Sequence, residues 1–325
     1  MPIPVQFEGR LSLPAIAAPM FIVSGPALVL ATCKAGVVGT FPVVNARSHD
    51  LLDQWLGEIA ADLDEARAGN PNQPIAPHGV NLVVHKTNVR LEKDLALTVK
   101  HKVPVVVTSV GDPGNIAAEI QSYGGLVFHD VTNVRHAQKA VAAGVDGLIL
   151  VCGGGGGHAG TMNPFALVPQ VREFFDGTVI LSGCISDGAS IRAAEALGAD
   201  MAYLGTRFIA TEEANASDGY KSMLIEADAR DIVYTPAISG LPANFMRQSL
   251  VEAGLDPNDL PDAPEVDMAE ELDPDHGKAW KDIWSAGQGV GSVHDLPSAT
   301  DLIARLETEY QEACDAQPWI RSQGK

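Results

Sequence analysis

"AGVDGLIL", residues 143–150, and "LGADMAYL", residues 197–204, carry one pattern twice: a glycine, a small apolar residue, an aspartate, then an apolar run. A glycine after a helical stretch supplies the left-handed position that ends a helix. The run that follows lacks polar alternation, as a strand covered on both faces does. The pair therefore reads as helix end, turn and buried strand, repeated. Outward from it the same unit recurs in "AGVVGTF" (35–41), "HGVNLVV" (78–84), "KVPVVVTS" (102–109), "GGLVFHD" (124–130) and "GTVILSG" (177–183), with "LPAIAAPM" (13–20) as the opener. Helix-length segments separate them at 26–34, 49–67, 89–101, 113–122, 133–143, 165–175 and 188–197. Eight short strands alternating with helices predict an α/β chain folded as a (β/α)8 TIM barrel, since a doubly wound sheet usually has about five to seven strands.

After the eighth strand the alternation stops. Residues 211–283 are polar and proline-rich and read as an inserted, mostly helical or irregular cap, so that 1–210 and 284–325 make up the barrel. The segment "LPSATDLIARLETEYQEA" (296–313) predicts a closing helix with Ser298 as N-cap and Leu302, Ile303 and Leu306 facing inward. The acidic stretch 261–275 reads as solvated surface, and Trp280 and Trp284 as anchors of the C-terminal segment to the barrel.

The chain has 325 residues, 46% hydrophobic and 19% charged, enough for a large core. A formal charge of −19 with no basic run disfavours nucleic acid and anionic membranes as partners. Four dispersed cysteines without a CxxC, no basic-then-apolar leader and no 18-residue apolar stretch predict a reduced, soluble, cytoplasmic protein.

In a barrel the loops after the strands build the active site, and those after the seventh and eighth strands commonly hold a phosphate. Here they read "SGCISDG" (182–188) and "GTRFIAT" (205–211), where glycines let backbone N–H groups approach an anion and Gly188 opens a helix. The loop after the sixth strand is "VCGGGGGHAG" (151–160). Gly155, Gly157 and Gly160 formally satisfy G-x-G-x-x-G, a weak signal within a run of glycines. The other reading is that the glycines clear room for a flat ring and free the His158 loop to open and close. His158 can hold or take a proton near neutral pH, or be a plain solvent-exposed histidine. No second metal ligand stands at useful spacing, so no metal is expected. Cys152 and Cys184 read as packing residues, Tyr203 as barrel filling, and His85, His101 and His136 as surface residues.

Taken in order, "AAPM" (17–20), "NL" at Asn81, "GGHAG" (156–160), "SGCISDG", "LGTRF" (204–208) and "IWSAGQGVG" (283–291) resemble the FMN-dependent nitronate monooxygenase family, formerly called 2-nitropropane dioxygenases. The resemblance covers most of the chain and is weakest over 212–275. It implies a flavoprotein oxidoreductase with FMN at the strand ends. The backbone of Ala18, Pro19 and Met20 would lie against the isoalloxazine, Asn81 would bond the ring, and Gly183, Cys184, Gly205 and Thr206 would hold the phosphate. Asp130, Gly156, Gly157 and Ser182 complete the implied cofactor set, and His158 is the implied catalytic residue. The implied reaction turns an alkyl nitronate and O2 into a carbonyl compound and nitrite; the sequence does not fix the oligomeric state, a homodimer being one that it allows. Two positions depart from the family: Asp130 stands where many relatives carry lysine, and Leu241 where they often carry arginine. Asp130 thereby removes a positive charge from beside the flavin.

Three classes stay open on these residues: the nitronate-oxidising flavoenzyme, an FMN-dependent NAD(P)H reductase of quinones or enoyl thioesters on the same fold, and a non-flavin barrel enzyme that binds another phosphorylated ligand.

Overall fold

The structure, a computed structural model, describes residues 3–266 and 281–316. Eight parallel strands close into a barrel: β1 (Ala15–Ala17), β2 (Val38–Pro42), β3 (His78–Val83), β4 (Val105–Ser109), β5 (Leu126–Val131), β6 (Gly147–Val151), β8 (Thr178–Ser182) and β9 (Met201–Leu204). Closure is direct, with Ile16 of β1 opposite both Val38 of β2 and Tyr203 of β9. Between the strands run α1 (Pro26–Lys34), α2 (His49–Gly69), α3 (Leu91–Lys100), α4 (Ile116–Gln121), α5 (Val134–Ala142), α6 (Pro164–Arg172) and α7 (Gly188–Leu197). The predicted TIM barrel is the observed fold. Its strands are buried on both sides, and Val105, Val106, Val107, Leu148, Ile149 and Leu150 are fully inaccessible.

The repeat that announced the fold has a structural basis in its aspartates. The Asp146 carboxylate accepts from Val127 N at 2.8 Å, and the Asp200 carboxylate from Val179 N at 2.8 Å. Each aspartate thus satisfies a backbone donor at the entry of the preceding strand, while Gly144 and Gly198 take φ of +81° and +114° to turn the chain.

Beyond β9 come the short helix α8 (Thr206–Ile209), α9 (Asp218–Glu226), a hairpin of β10 (Ile232–Thr235) and β11 (Ala243–Met246), and α10 (Arg247–Glu252). The hairpin reaches back to the glycine loop. There β11 pairs antiparallel with β7 (Gly157–His158), with His158 opposite Ala243. Phe245, Leu250 and Ile283 form a small core of their own beneath it. The acidic stretch after 266 and the Trp280 anchor lie outside the described residues. Trp284 is described, and it stacks on Tyr220 of α9 with centroids 5.1 Å apart.

The C-terminal helix Ala299–Asp315 starts on the predicted Ser298 cap and buries Leu302, Ile303 and Leu306. It packs so closely on α7 that a methyl group on Gly188 would sit 2.2 Å from Tyr310 N. Glu309 Oε2 accepts from Gly188 N at 2.8 Å, and Asp187 caps the same helix end. Gly188 is therefore a packing glycine. The expectation of an anion at this helix end fails because carboxylates of the chain already occupy it.

Candidate active site

A cavity of about 250 Å³ opens at the C-terminal face of the barrel, where the loops after the strands converge. Every nominated site residue lines it: Ala18, Pro19, Met20, Asn81, Asp130, Gly156, Gly157, His158, Ser182, Gly183, Cys184, Gly205 and Thr206. Ser109, Val110 and Tyr220, which the sequence reading passed over, stand beside them, together with Tyr203 and with Ser285, Gly287 and Gly289 of the 283–291 motif.

One end of the cavity is built from bare backbone. Gly183 has φ of +119° and Cys184 φ of +58°, and their N–H groups find no acceptor among the described residues. Successive unpaired N–H groups in such a turn make a concavity for an anion. The loop 153–157 is not free to swing, in contrast to the sequence expectation. Gln288 N donates to Gly154 O at 2.8 Å, Gly157 N to Ser285 Oγ at 2.7 Å, and Asn244 Nδ2 to Gly155 O at 2.5 Å. The glycines serve close approach of two backbones. A methyl group on Gly287 would lie 2.6 Å from Gly154 O, and one on Gly154 would lie 2.5 Å from Cys184 Sγ. Thr206 joins this mesh by accepting from Gly287 N at 2.9 Å. Arg207, next in sequence, turns away and pairs with Asp295 at 2.6 Å.

His158 is held by strand pairing and by the hairpin loop above it. Its Nε2 lies 3.2 Å from Ser239 Oγ, and Ser239 in turn donates to Leu241 O at 3.1 Å. Ser239 thereby ties the imidazole to the hairpin loop. The ring is half-buried in the cavity wall, and desolvation pushes its pKa down to about 4, leaving it neutral at pH 7. The exposed-histidine reading does not hold.

The other end is built from side chains. Asn81 donates to Val107 O at 3.2 Å and to Ser109 Oγ at 2.9 Å, so its Oδ1 is what it offers the cavity. Asp130, next to last in β5, has its Oδ1 buried and lacking a hydrogen-bond partner among the described residues, and the hydroxyl of Tyr203 shares that condition. Burial raises the Asp130 pKa to about 7. The carboxyl therefore carries only part of a negative charge at pH 7. Tyr203 is a cavity wall as well as barrel filling. Cys184, expected to pack, is exposed to the cavity.

Asn45 is a positioning residue the sequence did not flag. Its side chain accepts from Ile22 N at 2.9 Å and donates to Met20 O at 3.0 Å and Ser24 O at 2.7 Å, which fixes the loop that carries Ala18, Pro19 and Met20. Ile22 at φ +67° and Val110 at φ +55° are strained for branched residues, and Val110 lies in the cavity wall. Of the histidines read as surface residues, His101 is bonded to Asp53 of α2 at 2.5 Å. No helix among the described residues is long and apolar enough to cross a membrane.

Comparison with known proteins converges on one family. The profile of a family described as nitronate monooxygenase matches residues 9–309. A nitronate monooxygenase of Paraburkholderia phytofirmans is 29% identical, the match covering 93% of each chain. An octahydroindene carboxyl-CoA dehydrogenase of Mycobacterium tuberculosis is 30% identical over 74% of this chain and 64% of its own. Among solved structures, nitroalkane oxidase of Streptomyces ansochromogenes superposes with a TM-score of 0.78 at 27% identity, covering 95% of this chain and 99% of that one. FabK of Thermotoga maritima does so with a TM-score of 0.76 at 25% identity, covering 98% and 97%.

Proposed function

The chain belongs to the nitronate monooxygenase family of flavoprotein oxidoreductases, and from that premise we propose that it binds FMN and oxidises alkyl nitronates with O2 to a carbonyl compound and nitrite. The observation that carries this reading is the convergence of the nominated residues on one cavity, with neutral His158 in its wall.

The residues fit the cofactor. The Gly183–Cys184 turn, with Gly205 and Thr206 beside it, suits the phosphate, because unpaired backbone donors there meet an anion without a cation's help. The loop of Ala18, Pro19 and Met20, fixed by Asn45, suits the flat face of a ring, and Asn81 Oδ1 suits a ring N–H. Bound FMN would supply the one-electron oxidation of the substrate and the reaction with O2.

His158 would receive the substrate. The neutral imidazole beside the substrate would orient its carbon toward the flavin. The bond to Ser239 holds the ring at that angle. With a neutral nitroalkane, His158 would be the base that takes the proton from the carbon. Residues 211–283 would act as the cap over the barrel made by 1–210 and 284–325, and Ser239 and Asn244 are its contacts to the site.

A second reading, an FMN-dependent NAD(P)H reductase, is favoured by the likeness to FabK over 98% of the chain. It is also favoured by a cavity with no lysine or arginine in its wall among the described residues. One experiment separates the two. The purified protein is mixed with propyl-2-nitronate and, separately, with NADH or NADPH, following flavin absorbance, oxygen and nitrite. Oxygen uptake with nitrite release from nitronate alone is expected. Bleaching by a reduced nicotinamide with no response to nitronate would overturn the proposal in favour of the reductase. A protein that stays colourless with FMN added would leave the non-flavin barrel.

A further inference from the structure

An oxygen that gains negative charge in this cavity meets no cation, since no lysine or arginine lines it among the described residues. The titratable side chains around Asp130 do not supply one either. His158 is neutral, and burial raises the Cys184 thiol and the Tyr203 and Tyr220 phenols. On the strands flanking β5, β4 presents Ser109 and leads into Val110, and β6 presents Val151. His129, the neighbour of Asp130 in sequence, bonds Thr108 Oγ1 at 2.8 Å. Such an oxygen must be held by neutral donors.

Two are in place. Asp130 Oδ1 and Tyr203 Oη are both buried, both without a hydrogen-bond partner among the described residues, and both in the cavity wall. They stand on β5 and β9, with β6 and β8 between them around the barrel, and both line the same cavity. They are close enough for the Asp130 charge to raise the Tyr203 phenol. Two orphaned polar groups in one wall are costly unless an occupant completes them.

We propose that Asp130, in its protonated form, and Tyr203 are paired donors that converge on one electron-rich oxygen at the inner end of the cavity, a carbonyl or oxyanion oxygen of the flavin ring or of the substrate. The inference rests on the flavin reading. A protonated carboxyl and a phenol can each donate one hydrogen bond to the two lone pairs of such an oxygen. The pair fails when the carboxyl ionises, because a carboxylate accepts and repels. Burial with no cation nearby sets that ionisation at about pH 7.

The test is a binding measurement on the full chain and its D130N and Y203F variants. FMN is titrated into flavin-free protein by fluorescence, and nitrite into FMN-loaded protein by the flavin absorbance band, each at pH about 6 and about 8. In the arm whose oxygen the pair holds, wild type binds about tenfold more weakly at the higher pH. D130N, whose amide donates without titrating, keeps the tight binding at both. Y203F loses about tenfold at both while keeping the pH dependence. This pattern with FMN places the oxygen on the flavin, and with nitrite on the substrate. Equal binding by all three proteins at both pH values, in both arms, overturns the pair and leaves the flavin reading intact. A wild-type chain that binds no FMN removes the flavin reading and the pair with it. Thermal melts of the flavin-free variants identify a loss caused by misfolding, and the two substitutions report independently.

Discussion

The two ends of the cavity are made of different material. The end around Gly154, Gly183 and Gly287 is backbone, locked by close contacts and hydrogen bonds among loops, with two N–H groups left to point at a ligand. The end around Asn81, Asp130, Tyr203 and His158 is side chains, and its ionisable groups are moved far from their ordinary values by burial. A backbone site holds its ligand by shape and does not titrate. A side-chain site can exchange protons, and so answers to pH.

The largest expected effect concerns the whole chain and acid. His78, His129 and His158 are all held at about 4 by desolvation, below the ordinary 6.5. Between those values the unfolded chain binds protons that the folded chain refuses, so stability falls as pH drops through that window. Asp130, raised to about 7 from its ordinary 3.8, opposes this across the same window, because its folded form keeps a proton the unfolded form loses. A net difference of about two protons gives a loss of about 2–3 kcal/mol per pH unit. Urea melts from pH 7 to 4 measure it, and a flat profile would contradict the buried, neutral state of these rings.

Next is His158→Asn, expected to lower kcat/KM on nitronate about 100-fold while FMN still binds. Equal loss of FMN binding would place His158 in the cofactor site instead. Gly287→Ala and Gly188→Ala divide the backbone end from ordinary packing. Each sets a methyl group against backbone, at 2.6 Å and 2.2 Å, and should cost about 1–3 kcal/mol in a urea melt. Only the first should also weaken FMN, as seen by flavin fluorescence. The smallest effect is expected for Tyr234→Phe, which removes the bond to Ala159 O at 2.9 Å. Its side chain is partly in solvent, so a loss of about 0.5 kcal/mol in the same melt is expected.

Much of this was legible without coordinates because barrel strands and their turns are local signals. The repeated glycine and aspartate of 143–150 and 197–204 mark strand entries wherever they occur, and the site residues follow from which loops trail the strands. The hairpin β10–β11 was not visible, since Pro236, Gly240 and Pro242 break the run, and its pairing with Gly157 and His158 joins residues about eighty positions apart.

Gly188 and the glycine loop show the limit from the other side. Sequence said that backbone must pass where a side chain could not. It did not say whether the neighbour would be a ligand, as at Gly183, or another helix, as at Gly188.

The amino-acid order by itself determined the eight-stranded barrel, the loops that form its active face and His158 as the group to watch, because periodicity, turn chemistry and strand burial act over a few residues. Only the tertiary structure decided that His158 is neutral, that Asp130 is half-protonated, and that it shares an unsatisfied wall with Tyr203. Desolvation and hydrogen-bond pairing depend on what every other strand brings to the same place.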